Sequence, residues 1–251
     1  MKAISMVGFS KSGKTTACEA AISELTKRGY KVGSVKNIHK ENFSLDDPTS
    51  NTGRHRAAGA YQTIARCPDD TAILLPHTLT PRELIRQFDC DYLILEGVRD
   101  VLCPVIQFAK TAEDLPAVPD PRTVAYAGVL ANTGLTELNG MPVLNPLKDA
   151  GAFADFIEQH AFAPLPDVEP ECCGKCGSDC PGFCADVISG KRDRDECAQY
   201  DQSITLRVGG KQLHLVPFVE RILRNTLIGI VKELEGYEEG GEVTITFGGG
   251  R

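Results

Sequence analysis

Short apolar runs alternate with longer stretches of helical periodicity through the first two thirds of the chain. Ala3-Ile4-Ser5-Met6-Val7-Gly8 is apolar and closes on glycine, and Thr15 to Arg28 then repeats apolar residues at helical spacing until Gly29 stops it. Lys31 to Lys36 restarts as a strand, and Asp91-Tyr92-Leu93-Ile94-Leu95 repeats the buried-strand pattern after a helix expected over Pro81 to Phe88. Further strands are expected at Tyr61 to Ala65, Ala72 to Leu75, Val105 to Phe108, Val124 to Val129 and Pro142 to Leu144, with a helix at Asp149 to His160. Strands alternating with helices define an α/β fold with a mostly parallel sheet covered on both faces.

The texture changes at Ala163-Pro164-Leu165-Pro166-Asp167-Val168-Glu169-Pro170, where the prolines predict a stiff linker. The expected division is therefore a first domain over residues 1–163, a linker over 164–170, a cysteine-rich module over 171–200 and a C-terminal α+β segment over 201–251. In that last segment Ile204 to Val208 and Gln212 to Val216 flank Gly209-Gly210 as a β-hairpin, and Glu242 to Phe247 alternates as a final strand. Val219, Ile222, Leu223, Leu227, Ile230 and Leu234 mark one face of a helix between them. That face is more than a small hairpin covers, so a homodimer is expected, with packing onto the chain's own domain as the alternative.

Chemistry enters at the first strand's end. Gly8-Phe9-Ser10-Lys11-Ser12-Gly13-Lys14-Thr15, with Thr16 following, has the G-x-x-x-x-G-K-S/T pattern of a phosphate-binding P-loop. Its glycines let successive backbone N–H groups turn inward around phosphates, and the helix N-terminus adds partial positive charge. Lys14 would reach the β- and γ-phosphates, and the Thr15 hydroxyl would ligate Mg2+. A strand before the loop and a helix after it supply the context this mechanism requires. The expected ligand is a purine nucleoside triphosphate, GTP or ATP. A second acid is needed at a neighbouring strand end, and Glu96, followed by Gly97, is placed there, whereas Asp91 opens the same strand at its opposite end. Lys36 and His39 follow the second strand and so fall at the carboxyl edge of the sheet, where ligands bind in this architecture. Asp46 stands in a stretch suited either to a switch loop with a role at the metal or to ordinary turn chemistry. Arg54, His55 and Arg56 belong to a short helix with a solvated basic face.

Composition narrows the setting. With 42% hydrophobic and 24% charged residues the chain is an ordinary globular one, and its formal net charge of -7 argues against a protein that grips nucleic-acid phosphates. Met1-Lys2-Ala3 runs straight into the first strand and no apolar run is long enough to cross a bilayer, so no membrane association and a cytoplasmic location are expected. Of the ten cysteines, six crowd between Cys172 and Cys197, which points to a metal; Cys18, Cys67, Cys90 and Cys103 are scattered and suit buried thiols.

Between the P-loop and Glu96 stand Gly33-Ser34-Val35-Lys36-Asn37-Ile38-His39-Lys40, Asp46-Asp47-Pro48 and Arg56-Ala57-Ala58-Gly59-Ala60, with Leu93-Ile94-Leu95-Glu96-Gly97 downstream. In this order and spacing they resemble the molybdopterin-guanine dinucleotide biosynthesis protein B (MobB) family over roughly Lys2 to Phe162. The resemblance implies a GTP-binding, slowly hydrolysing and commonly dimeric protein that works beside a molybdopterin guanylyltransferase. Two positions depart from the family's usual pattern: Asn37 stands in place of a second histidine, and Asn51 in place of an aspartate.

Cys172-Cys173-Gly174-Lys175-Cys176-Gly177-Ser178-Asp179-Cys180 and the later Cys197 bring thiolates close together in sequence, with glycines that let the backbone wrap a ligand. Two separated Cys-x-x-Cys pairs, the common zinc spacing, are not present. Cys173, Cys176, Cys180 and Cys197 resemble the small four-cysteine 4Fe-4S module of electron-transfer subunits and corrinoid iron–sulfur proteins, except that one residue fewer separates the second and third. Zinc remains the alternative metal, and Cys172 or Cys184 the alternative ligand. Together these features lead to an accessory GTPase of molybdenum or tungsten cofactor maturation with an iron–sulfur module, partnered by a guanylyltransferase or a molybdenum or tungsten enzyme. The alternatives are a nucleotide-dependent metallochaperone and a redox-sensing NTPase. No arginine finger or water-positioning glutamine is assignable from the sequence, so turnover should be slow.

Overall fold

The strand that precedes the P-loop lies inside the sheet with a neighbour on each side, as its mostly apolar run requires. The computed structural model describes residues 1–40, 43–165, 176–197, 206–208, 211–213, 217–237 and 243. It divides into two units, Met1–Asp167 with Ser178–Arg194, and Val168–Gly177 with Asp195–Arg251.

In the first unit seven strands form one sheet. In chain order they are β1 (Lys2–Gly8), β2 (Val32–Lys36), β5 (Tyr92–Glu96), β6 (Val105–Phe108), β7 (Thr123–Ala127), β8 (Glu137–Leu138) and β9 (Met141–Leu144), arranged β2-β5-β1-β6-β7-β9-β8. Every pairing is parallel except the edge pair β8–β9. Helix α1 (Lys14–Lys27) follows β1 directly, and α4 (Ala150–His160), capped by the Asp149 side chain on the Ala152 N–H, comes after β9. The side-chain alternation of β1 sorts its residues between two cores. Ile4 and Met6 join Ala17, Ala21 and Leu25 of α1 and Phe153 and Ile157 of α4 on one face. Ala3 joins Leu93, Leu95, Val98, Val101 and Cys103 on the other, where Leu84 and Ile85 of α3 (Pro81–Ile85) pack.

Two expected strands lie outside this sheet. β3 (Thr63–Arg66) and β4 (Thr71–Leu74) pair antiparallel in a separate two-stranded ribbon after α2 (Asn51–Ala57). Ile64 and Ile73, opposite each other in register, are both exposed, so the apolar content that marks these segments as strands does not bury them in the core.

Of the expected linker and cysteine module, residues 166–175 and 198–200 lie outside the described residues. Leu165 is buried and donates its N–H to the Leu102 carbonyl, and the Arg194 guanidinium donates to the carbonyls of Ala163 and Pro164. The segment Ser178–Arg194 therefore belongs with the first unit. It contains α5 (Cys180–Ile188), capped by the Asp179 carboxylate on the Gly182 N–H, with Pro181 in its first turn. Phe183 and Cys184 face the interior; burial, chiefly, pushes the Cys184 thiol up to about 12.

In the second unit β10 (Leu206–Val208) and β11 (Lys211–Leu213) pair antiparallel as the expected hairpin, and α6 (Pro217–Val231) follows. Val219, Ile222 and Ile230 of α6 and Leu234 beyond it are exposed. Of the expected final strand, only Val243 is described. Because α4 holds α1 and hence the P-loop against the sheet, Phe153→Ala should cost about 3–5 kcal/mol of stability. A urea midpoint that falls with an unchanged slope is the expected measurement.

Candidate functional site

The loop from Gly8 to Gly13 sits on main-chain atoms of the neighbouring strand ends. A Cβ on Gly8 (φ 152°) would lie 2.2 Å from the Phe108 carbonyl oxygen, and one on Gly128 (φ 103°), just after β7, would lie 2.3 Å from the Ser12 carbonyl oxygen. Only glycine permits that approach. The buried Ser12 hydroxyl closes the turn on the Phe9 carbonyl at 2.8 Å, and Lys11 takes a left-handed φ of 61°. Gly13, also left-handed, precedes α1 and supplies no side-chain cap, which leaves the helix's first amides for an anion.

Four side chains meet at this helix start. Lys14 Nζ donates to the carbonyls of Gly8 at 2.9 Å and Phe9 at 2.6 Å. The Thr15 hydroxyl donates to Glu96 Oε1 at 2.8 Å, and Lys36 Nζ pairs with the same oxygen. Glu96 is buried while Lys36 remains more than half exposed, so the carboxylate is held in place and the ammonium faces the opening. Burial, above all, lowers the Lys14 pKa; Glu96 opposes that shift, and Lys36 and Arg99 add to it. A surplus of cations over one carboxylate suits a polyanionic ligand.

These groups open on a cleft of about 480 Å³. Ser10, Lys11, Gly13, Lys14, Thr15 and Thr16 form one wall with Lys36 and Glu96. Gly128, Val129, Asn132, Asn145, Pro146 and Leu147 form the other, and none of these was a sequence candidate. Asn145 Nδ2 donates to Asn132 Oδ1 at 3.2 Å and its Oδ1 accepts from the Leu147 and Lys148 N–H groups, so it orders this wall, on which Leu147 is exposed. Gly128 directly follows β7, and Asn145 directly follows β9, so the rule that placed Lys36 at the carboxyl edge also reaches them once strand order is known.

The other sequence candidates are placed differently. Gly8 and Phe9 shape the loop through their carbonyls rather than lining the cleft. His39 is exposed across from Gly97, where a Cβ would meet its Nε2 at 3.8 Å. Asp46 does not line the cleft; its Oδ1 accepts from the hydroxyls of Ser50 at 2.7 Å and Thr52 at 2.9 Å at the start of α2, and its Oδ2 is buried without a partner among the described residues. Cys173 lies outside the described residues, Cys180 opens α5 in the first unit, and Cys176 and Cys197 belong to the second. Among the described residues no three His, Cys, Asp or Glu side chains gather as a metal site, and no helix is long and apolar enough to cross a membrane.

A parallel α/β sheet with a glycine-seated phosphate loop, its lysine and hydroxyl, and an acid from the adjacent strand defines the P-loop nucleotide-binding class. Within that class, the family model for molybdopterin guanine dinucleotide synthesis protein B (MobB) matches residues 3–128, and the chain belongs to this family. A Haemophilus influenzae molybdopterin-guanine dinucleotide biosynthesis adapter protein is 32% identical over 160 residues, 62% of this chain and 86% of its own. A Methanocaldococcus jannaschii protein provisionally described as the same adapter is 25% identical over 244 residues, 95% of this chain and 94% of its own. The crystal structure of Bacillus subtilis MobB aligns over 64% of this chain and 98% of its own, at 24% identity and a TM-score of 0.48.

Because the approach of Gly128 to Ser12 shapes the loop from outside it, Gly128→Ala should cost on the order of 2 kcal/mol and weaken triphosphate binding. Urea unfolding with parallel nucleotide titration checks both effects.

Proposed function

We propose that the chain is a nucleotide-binding accessory protein of molybdopterin guanine dinucleotide synthesis, which takes GTP, or else ATP, with Mg2+ and hydrolyses it slowly. The observation that carries this reading is the meeting of Lys14, Thr15, Glu96 and Lys36 at the uncapped start of α1. The family and the adapter relatives support the pathway. The partner in this reading is a molybdopterin guanylyltransferase, or a molybdenum or tungsten enzyme.

The donor set fits magnesium: the Thr15 hydroxyl and the Glu96 carboxylate are adjacent hard oxygens, and these two residues would hold the ion. When bound, Mg2+ supplies charge neutralisation across the phosphates. The chain's own groups do the rest. Loop amides orient the phosphates, and Lys14 turns from the Gly8 and Phe9 carbonyls to the β- and γ-oxygens. The second wall, with Asn132 and Asn145, is suited to contacts with the nucleoside.

The 4Fe-4S centre on Cys173, Cys176, Cys180 and Cys197 belongs to this proposal and rests on the cysteine spacing. Cys184, fully buried on the inward face of α5, suits a packing role rather than ligation. Anaerobically purified protein should carry iron and sulfide, with iron lost in Cys180→Ser and kept in Cys184→Ser. Zinc without sulfide would discard the cluster.

Lys14→Ala should abolish measurable triphosphate binding by calorimetry while circular dichroism stays unchanged, since it removes the side-chain cation aimed at the β- and γ-phosphates. Retained affinity would overturn the nucleotide reading.

A further inference from the structure

A second cavity, of about 450 Å³, touches the P-loop at Gly8 and Phe9 and is closed by Arg99, Gln107 and the segment Glu113 to Pro116. Arg99 lies three residues after Glu96, on the segment that leaves β5 through the left-handed Gly97 (φ 74°). The backbone of that segment is pinned on both sides of Arg99. The buried Ser5 hydroxyl donates to the Val98 carbonyl, and Arg122 donates to the carbonyls of Val101 and Arg99, each at 3.0 Å. The Arg99 side chain itself is exposed and makes no hydrogen bond or ion pair among the described residues.

Three of the nearby acids, Asp120, Asp114 and Glu113, are already engaged. Asp120, whose charge Arg99 feels, is ion-paired with Arg122 at 2.7 Å. Asp114 Oδ2 accepts from the N–H groups of Lys110 and Thr111, and the Glu113 carboxylate bonds the Thr111 hydroxyl. Gln107 is 6% exposed, and its amide makes only a 3.5 Å contact with the adjacent Phe108 carbonyl. An exposed guanidinium on an anchored stretch of backbone and an under-used amide thus line a cavity walled by the two residues whose carbonyls hold Lys14. Arg99 is also near enough to Lys14 to repel its charge.

We propose that Arg99 is a γ-phosphate ligand supplied in cis, through which the protein distinguishes a nucleoside triphosphate from a diphosphate. The proposal rests on the nucleotide reading above. Two cations that both approach the P-loop from its neighbouring cavities repel until an anion offsets them. A γ-phosphate on Lys14 supplies that anion; a diphosphate, one group shorter, does not reach as far. A guanidinium suits the role because it offers forked donors to phosphate oxygens and stays charged. In hydrolysis, water oxygen forms a bond to the γ-phosphorus as the bond to the β–γ bridging oxygen breaks, giving diphosphate and inorganic phosphate. Arg99 would offset charge on the departing phosphoryl group, and the water's proton passes to phosphate or solvent.

The test is calorimetry on the full chain with Mg2+, using GDP and a non-hydrolysable GTP analogue, for wild type, Arg99→Ala, Arg99→Lys and Lys14→Ala. Loss of one charge-assisted contact should lower Arg99→Ala affinity for the triphosphate analogue about tenfold while GDP affinity holds within about twofold, and Arg99→Lys should recover part of the loss. An unchanged triphosphate-to-diphosphate ratio in both Arg99 variants would overturn the proposal, as would equal losses for both nucleotides. Failure of wild type to bind either nucleotide would instead remove the parent reading, and Arg99's role with it.

Discussion

The whole nucleotide end of this molecule depends on main chain meeting main chain at Gly8 and Gly128. These residues bring the loop to within a Cβ's reach of the Phe108 and Ser12 carbonyl oxygens, so loop, β6 and the end of β7 form one rigid surface. That closeness turns the loop's N–H groups inward, and it allows α1 to begin on Gly13 without a side-chain cap. A capped helix would have spent the amides that an anion needs. The packing of α4 on α1 and of α1 on the sheet keeps the geometry in register.

Charge around that surface is arranged by burial. Glu96 is sunk at the end of β5 and holds Thr15 and Lys36 from below, while Lys14 is held by carbonyls of its own loop. Each cation is therefore stabilised at the cleft by a local partner, and each partner is weaker than a polyphosphate with a divalent ion. Arg99 differs in having its backbone anchored and its side chain without a hydrogen bond or ion pair among the described residues. The site is preorganised for an anion at a limited electrostatic cost, because desolvation lowers the Lys14 pKa while the Glu96 charge opposes that loss.

Of the cysteine-rich stretch, the described segment Ser178–Arg194 belongs to the nucleotide-binding unit. α5 is drawn into the nucleotide-binding unit by Phe183 and Cys184 and by Arg194 on the Ala163 and Pro164 carbonyls. Cys180 therefore begins a helix whose far face is core.

Local chemistry was enough to read the central strands, the P-loop, the Glu96 strand end and the helix after Asp149, because each is written in contiguous residues: an apolar run, a fixed glycine spacing, a helical period. The family resemblance was legible for the same reason, being a series of short segments at set separations. The burial of Leu165 was not legible in the proline-rich stretch, since prolines predict stiffness but not whether an apolar neighbour finds a pocket. The β3–β4 ribbon was legible as strands and not as a separate ribbon, since alternation marks a strand without naming its partner. Gly128, Asn132, Asn145 and Arg99 had no local signature at all. They come together with the P-loop only because the order β2-β5-β1-β6-β7-β9 sets the ends of β5, β7 and β9 around β1, and that order is decided by which apolar faces pack, a property of the folded sheet rather than of any one segment.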